Sequence, residues 1–297
     1  MKLKVTKRQI LKDVPSASGI EVLGESIYAI GDNSPWLFKL NASYNCIEKF
    51  QIFSLSDTQN TVIPKSLKPD FEAITLVKNN GVNEFYIFGS GSKSPERDVL
   101  IIIDVNHPKN WKQYSLAKFY NQLKKQASLT DNELNIESAL VRHDFIYFFN
   151  RGKNAIIKVS IAEFNSFIEE EIEEIKLAIT NIQLPKINEL ESGFSAACYL
   201  PEIDKIIFTS TVEDTPNWID DGQVLGSFVG IIDITNLEKT AKPMYSPIME
   251  NGKILPLKIE AVTILSFKKN KINLLIASDG DGAESEILEV TLILNDE

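Results

Sequence analysis

Five similar segments recur along the chain, and each opens with a short apolar string that carries one polar residue. The strings are SGIEVLG, DFEAITLV, NIESALV, SGFSAACY and IEAVTIL, with Glu21, Glu72, Glu137, Ser195 and Glu260 in the equivalent place. Neighbouring members lie between 51 and 65 residues apart. Repetition at a fixed scale constrains the fold strongly, because each unit must bury its apolar face against the next one.

Most units contain four runs of four to eight residues that are rich in Ile, Val, Phe and Tyr and are bounded by turn residues. Unit two, for example, reads DFEAITLV, EFYIFGS, DVLIIIDV and WKQYSLA. Short strands at such intervals are typical of all-β sandwiches, barrels and propellers. The repeat favours one domain over residues 1–297, a β-propeller with five four-stranded blades, or six blades if two have been merged in the longer units.

The fifth unit has only three strand-like runs before the chain stops, and KLKVTKRQI at the N-terminus can supply the fourth. Such pairing leaves no free sheet edge at the seam of the ring. Two segments have helical rather than strand spacing, LAKFYNQLKKQ and SIAEFNSFIEEE, and the second begins with Ser160 and Glu163 in a capping-box arrangement. We therefore expect a closing N-terminal strand and two short inserted helices.

Composition excludes several classes of protein. Hydrophobic residues make up 43% of the chain and charged residues 24%, which is normal for a globular protein with a sizeable core. No signal peptide and no long apolar run is present, so we expect a cytoplasmic location and no membrane partner. The net charge of −10 argues against a nucleic-acid partner and is compatible with a bound cation. The composition leaves the oligomeric state open.

Two residue types that often build metal sites are too scarce here to do so. His107 and His143 are the only histidines, so a histidine-rich zinc site cannot be assembled. Cys46 and Cys198 stand singly in strand-like segments, which favours two small buried side chains over a disulfide framework.

The repeated glutamates fall near the beginning of the first strand of each unit. In a propeller blade this strand lies next to the central axis, on the same face as the loop joining strands two and three. Those loops contribute polar candidates for ligand binding, namely Asp32, Asn33, Ser92, Lys93, Arg97, Arg151 and Asp279, with Asp281 beside the last. Polar groups from all five units are therefore expected at one mouth.

Four carboxylates around a narrow axis repel one another and lose hydration, which raises their pKa values unless something compensates. Ca²⁺ would do so with oxygen ligands alone, and we predict Glu21, Glu72, Glu137 and Glu260 as its ligands. The alternative is that each glutamate accepts backbone hydrogen bonds or pairs with Arg97 or Arg151. Small residues follow Glu72, Glu137, Ser195 and Glu260, as close packing near an axis requires, whereas Val22 follows Glu21.

The strings DFEAIT, IESAL and IEAVTIL resemble the signature at the inner strands of the SdiA-regulated and esterase-like phytase propeller families. Together with YAIGDNSPWLFKL and FGSGSKSPERD, they look like a bacterial propeller family related to these. The resemblance implies a single propeller with a central acidic site, calcium-occupied at Glu72, Glu137 and Glu260.

Two functions are consistent with these observations. The first is a metal-binding propeller whose mouth takes a small anionic or polyhydroxylated ligand and hydrolyses a phosphoester or lactone with metal-activated water. The second is a non-catalytic ligand-binding or protein-interaction module with a structural axis site. Whether the chain is an enzyme is not decided by these residues, because propellers host unrelated functions.

Overall fold

Five four-stranded antiparallel sheets form a ring in the computed structural model of the chain. The structure describes residues 1–54, 62–215, 222–239, 242–280 and 284–294. This architecture is a five-bladed β-propeller, so the predicted five blades are confirmed. No helix among the described residues is long and apolar enough to cross a membrane.

The strands follow the chain blade by blade. The chain begins with β1 (Lys2–Pro15), and blade one then comprises β2 (Ala17–Leu23), β3 (Ser26–Gly31), β4 (Trp36–Leu40) and β5 (Cys46–Gln51). Blade two comprises β6 (Phe71–Asn79), β7 (Val82–Gly89), β8 (Val99–Asp104) and β9 (Trp111–Ser115). Blade three comprises β10 (Ile136–Arg142), β11 (Phe145–Asn150), β12 (Ala155–Ser160) and β13 (Ala178–Asn181).

A small hairpin precedes each of the last two blades. The first hairpin is β14 (Lys186–Ile187) with β15 (Leu190–Glu191), and blade four comprises β16 (Gly193–Leu200), β17 (Lys205–Asp214), β18 (Gln223–Asp233) and β19 (Met244–Pro247). The second hairpin is β20 (Met249–Glu250) with β21 (Lys253–Ile254), and blade five contains β22 (Ile259–Lys268), β23 (Lys271–Ser278) and β24 (Glu284–Ile293). Short 3₁₀ helices cover Asp131–Glu133, Gly152–Asn154, Pro201–Ile203 and Ile234–Lys239.

The N-terminal strand closes blade five, as predicted. β1 pairs antiparallel with β24, from Lys2 opposite Ile293 to Leu11 opposite Ser285. The last blade therefore has the order β22, β23, β24, β1. Joining the two ends of the chain in one sheet gives backbone groups of both strands hydrogen-bond partners.

Both predicted helices are present, α1 (Ala117–Ala127) and α2 (Ile161–Ile168). Ser160 caps α2 by accepting a hydrogen bond from the backbone N–H of Glu163. The ring of Phe119 packs edge-on against Phe164 with centroids 5.1 Å apart. The helices thus extend one of five hydrophobic clusters, each of which fills a junction between neighbouring blades.

Every inner strand begins with a β-bulge, at which one residue has no partner on the second strand of its blade. The bulged residues are Ser18, Glu72, Glu137, Ser195 and Glu260. A bulge aims its extra side chain away from the regular pleat. Here the bulge lies at the start of each inner strand. We call this end of the ring the upper mouth and the opposite end the lower mouth.

The prediction that Glu21 is the first-blade equivalent of the other glutamates is wrong. Ser18 is bulged in blade one, between the paired residues Ala17 and Gly19, whereas Glu21 pairs with Tyr28 three residues further along β2. The small residue that follows the bulge in every other blade is matched here by Gly19, not by Val22. The rule that a small residue follows the bulge therefore indicates the correct register of blade one from the sequence.

Candidate functional site

The loops between the second and third strands converge on the upper mouth through one repeated backbone contact. In four blades the residue after the second strand donates its N–H to the carbonyl of the residue two before the bulge, over 2.8–3.1 Å. These pairs are Asp32 with Ser16, Ser90 with Asp70, Arg151 with Asn135 and Asp279 with Lys258. In these four blades the loop backbone is thereby held beside the segment that leads into the bulge.

An acidic cluster lies where blades one and two meet. Asp32, Asp70 and Glu72 each offer one carboxylate oxygen, and these oxygens lie within 4.8 Å of one another. Asp70 was not among the predicted site residues, although it stands only two positions before Glu72. Its φ of 56° is a left-handed conformation that Asp tolerates better than most residues, and this conformation accompanies the turn into the bulge.

Two basic side chains hold the aspartates of this cluster. The ammonium of Lys68 lies 2.7 Å from Asp70 Oδ1 and also pairs with Asp32. Arg97 Nη1 lies 2.6 Å from Asp70 Oδ2 and donates to Ser92 Oγ over 2.6 Å. Burial lowers the pKa of Lys68, but Asp70 and Asp32 outweigh this effect and raise it above its usual value. Lys68 therefore stays charged.

Among the described residues Glu72 forms no such contact with a basic side chain, although its charge helps to raise the pKa of Lys68. Its Oε2 atom is buried without a hydrogen-bond partner, and Asp32 Oδ1 is in the same situation. Burial, followed by the charges of Asp70, Glu260 and Glu137, raises the pKa of Glu72 well above its usual range. Without a cation, the buried site therefore favours the protonated form of Glu72 more than water does.

The other glutamates of the upper mouth are engaged in an ion-pair network. Arg151 Nη1 lies 3.4 Å from Glu137 Oε1, and its Nη2 donates to Glu213. Lys258 Nζ lies 2.9 Å from Glu260 Oε1 and 3.8 Å from Glu213 Oε1. Glu137 and Arg151 are only 4% and 5% exposed, so this network is shielded from solvent screening.

Burial affects the pKa values of Glu137 and Glu260 more than their ion pairs do. It raises the pKa of Glu137 to about 7, although Arg151 acts in the opposite direction. Burial also raises the pKa of Glu260 well above its usual range despite Lys258, and Asp279 adds to the increase. Space for the Arg151 side chain comes from Gly193, where a Cβ atom would lie 2.5 Å from Arg151 Cγ.

The predicted ligand-binding residues separate into different groups. Asp32, Ser92, Arg97, Arg151 and Asp279 take part in the networks of the upper mouth. Asn33 donates to Ser16 Oγ over 3.1 Å. Lys93 is exposed and lies 3.8 Å from Glu96. Asp281 lies outside the described residues.

Among the predicted metal ligands, only Glu72 belongs to a compact carboxylate cluster in the described part of the chain. Glu137 and Glu260 share the upper mouth but have basic partners, whereas Glu21 faces the cavity of the lower mouth. Sequence reasoning missed Lys68, Asp70 and Lys258, which complete the charge pattern. Asp70 and Lys258 stand two residues before a bulge, so the repeat itself could have pointed to them.

The fold and the mouth together define a five-bladed propeller with a buried network of carboxylates and basic groups at one end of its axis. Residues 13–292 match a family of unknown function, DUF6929, and the chain belongs to this family. No curated protein matches the sequence. The relation to the SdiA-regulated and phytase propellers stays a prediction.

Two solved structures illustrate the likeness in fold. Glutaminyl cyclase from Myxococcus xanthus superposes with a TM-score of 0.53 over 99% of this chain and 97% of its own, at 6% identity. A GH43 β-1,3-galactosidase gives a TM-score of 0.52 over 93% of this chain and 56% of its own, at 10% identity. At such identities the likeness shows the fold alone.

Proposed function

We propose that the chain is a ligand-binding propeller whose upper mouth holds a divalent cation, with Ca²⁺ as the expected ion. The observation that carries this proposal is that two carboxylate oxygens of one cluster, Glu72 Oε2 and Asp32 Oδ1, are buried without a hydrogen-bond partner. Both residues belong to the three-carboxylate cluster with Asp70. An unsatisfied buried polar group costs about 1–3 kcal/mol, and a bound cation would remove that penalty.

The donor set fits a hard cation. Ca²⁺ takes oxygen ligands, usually six to eight of them, and Asp32, Asp70 and Glu72 supply carboxylate oxygens only. Three carboxylates leave room in the coordination shell for oxygens of a ligand or of water. Lys68 contacts two of the three residues and would compete with the ion for them.

The basic groups beside the cluster favour a small anionic or polyhydroxylated ligand. Arg97 and Ser92 adjoin the cluster through Asp70, and exposed Lys93 follows in the same loop. A carboxylate or phosphate oxygen could join the cation while a guanidinium binds the rest of the group, since planar guanidinium donors suit such anions. Hydroxyl groups of a polyol could replace water in the coordination shell.

Hydrolysis of a phosphoester or lactone is the catalytic version of this proposal. A bound divalent ion polarises a phosphoryl or carbonyl oxygen and lowers the pKa of a bound water. Such a reaction also needs a side chain that exchanges a proton near neutral pH. The pKa of Glu137, raised to about 7, meets that requirement.

Thermal unfolding of protein first stripped of metal tests the cation. At a hundred times the Kd, Ca²⁺ should stabilise the fold by about 2.7 kcal/mol, a rise in melting temperature of roughly 5 °C or more. Glu72→Gln should remove most of this response. The matched control is Glu25→Gln, an exposed carboxylate in the turn between β2 and β3, which should respond like the wild type.

Identical melting curves in calcium and in chelator would contradict the cation site. A calcium response that survives Glu72→Gln would contradict the assignment of the ligand. Turnover of p-nitrophenyl phosphate or of a simple lactone, assayed with calcium at saturation, separates the catalytic version from the non-catalytic one. Binding without turnover leaves a ligand-binding propeller with a structural axis site.

A further inference from the structure

The lower mouth holds a cavity of about 390 Å³ that residues of all five inner strands line. The residues three positions after each bulge form one level of its wall, and they are Glu21, Thr75, Leu140, Cys198 and Thr263. Most of the neighbouring lining residues are aliphatic, among them Val22, Ile74, Val141 and Ile264. The same repeat thus forms a second and chemically different opening.

Glu21 is the only carboxylate among the described residues that line this cavity. Its Oε1 atom accepts a hydrogen bond from the backbone N–H of Leu76 over 3.2 Å, so the carboxyl group is held in place by blade two. None of the described lining residues is a lysine, arginine or histidine. The carboxylate therefore lacks a basic partner in a mostly aliphatic surrounding.

We infer that the lower mouth binds a small organic cation with an apolar body, of the primary alkylammonium class, through Glu21. The ammonium would donate to the carboxylate and neutralise its charge, while the alkyl chain would contact the aliphatic walls. A metal ion fits this place poorly, because one carboxylate supplies few of the oxygen ligands that Ca²⁺ requires. An anion is disfavoured by the charge of Glu21.

Hexylamine, hexan-1-ol and hexanoate are suitable probes because they share a chain and differ in the head group. Calorimetric titrations are made at pH 8, above the pKa of about 7 to which burial raises Glu21. The other titratable lining groups stay neutral there, since burial raises the pKa of Cys198 and of Tyr199. Hexylamine should bind at least about tenfold more tightly than hexan-1-ol, as expected for a charge-assisted hydrogen bond. Hexanoate should bind most weakly of the three.

Glu21→Gln should reduce the preference for the amine over the alcohol to near unity, and Glu25→Gln, at an exposed carboxylate in the turn after β2, should leave it unchanged. Hexan-1-ol binding to Glu21→Gln shows that the cavity itself is intact in the variant. Equal affinity of wild type for amine and alcohol would overturn the inference, and so would an amine preference that survives Glu21→Gln or disappears in Glu25→Gln. These titrations contain chelator throughout, so their outcome is independent of the proposed calcium site.

Discussion

The two ends of the axial channel are built by the same five strands, yet their chemistry differs. At the upper mouth the bulged residues and the loops between second and third strands bring acids and bases together, so that Glu72, Glu137 and Glu260 lie among Lys68, Arg97, Arg151 and Lys258. Three residues further along each strand, the described residues that line the lower mouth include one carboxylate, Glu21, among mainly aliphatic side chains. The difference teaches that the loops, more than the inner strands, supply the charge.

The two mouths also differ in how their buried charged groups are paired. Arg151 connects Glu137 with Glu213, and Lys258 connects Glu213 with Glu260, so removal of one member leaves others without a partner. Glu21 accepts hydrogen bonds only from backbone groups, those of Leu76 and Val22, among the interactions of the described residues. Perturbed carboxyl groups concentrate at functional sites, and both ends contain such groups. Only the upper mouth, however, couples them into a network.

The largest expected effect comes from breaking that network. Arg151→Met should destabilise the protein by about 3–5 kcal/mol, because it leaves the buried carboxylates of Glu137 and Glu213 without their guanidinium. Glu21→Gln at the other end should change the free energy of unfolding by less than about 1 kcal/mol, since the amide oxygen can still accept from Leu76. Urea denaturation measures both. Equal changes in the free energy of unfolding in the two variants would show that the buried charges at the two mouths are coupled to their neighbours to the same extent.

The pH dependence of the free energy of unfolding is the second test of the difference between the two mouths. The folded-state pKa values of Glu72, Glu137 and Glu260 are raised, so the folded protein binds more protons than the unfolded chain above about pH 4.5. The free energy of unfolding should therefore fall as pH rises from about 4.5 through 7 in the absence of divalent cations, by about 1.4 kcal/mol for each unit of raised pKa. Below about pH 4, stability should fall again, because Arg142 lowers the pKa of Asp204 to about 2.

Glu72→Gln tests the origin of this slope. The variant should be more stable than the wild type at pH 8 by about 1 kcal/mol or more, and equally stable at pH 4, where the carboxyl group is protonated in both states. Denaturation curves at the two pH values give the comparison, with Glu25→Gln as a variant whose slope should match the wild type. If the free energy of unfolding depends on pH in the same way in Glu72→Gln as in the wild type, groups other than Glu72 cause that dependence.

The smallest expected effect at the upper mouth concerns the neutral bulged residue of blade one. Ser18 Oγ donates to the carbonyl of Phe71 in blade two over 2.5 Å, and Ser18→Ala should cost about 1 kcal/mol through loss of this bond. Ser18→Glu would add a fourth carboxylate to the ring and should cost more at pH 8 than at pH 4. Urea denaturation at both pH values checks this. An effect of Ser18→Glu that does not depend on pH would show that Ser18 lies away from the other carboxylates.

Much of the fold could be predicted because its determinants are local. The five strings, the strand-like runs of each unit and the helical spacing of Phe119, Tyr120 and Leu123 depend on residue type and periodicity alone. The closing strand followed from counting the runs of the last unit. These predictions are confirmed by the pairing of β1 with β24 and by helices α1 and α2.

The register of blade one could not be taken from the glutamate pattern. A bulge shifts one residue relative to the partner strand, so Glu21 looked equivalent to Glu72 although Ser18 is the bulged residue. The sequence indicated Arg151 as a partner for one of the glutamates, and Glu137 pairs with it. The other partners were hidden, because Lys68 meets Asp32 across 36 positions of sequence and Arg151 meets Glu213 across 62. Side-chain reach and loop conformation decide such pairs.

By itself the sequence determined the repeat, the closure of the ring and the presence of acidic residues at the start of three inner strands, and it favoured five blades over six. Those features depend on residue patterns that each unit carries within itself. Only the tertiary structure decided which carboxylates have basic partners, which of them keep a buried oxygen without a hydrogen-bond partner, and that Glu21 belongs to the lower mouth. The physical reason is that electrostatic and hydrogen-bond partners are set by distances of a few ångströms between different blades, and these distances exist only after the ring has closed.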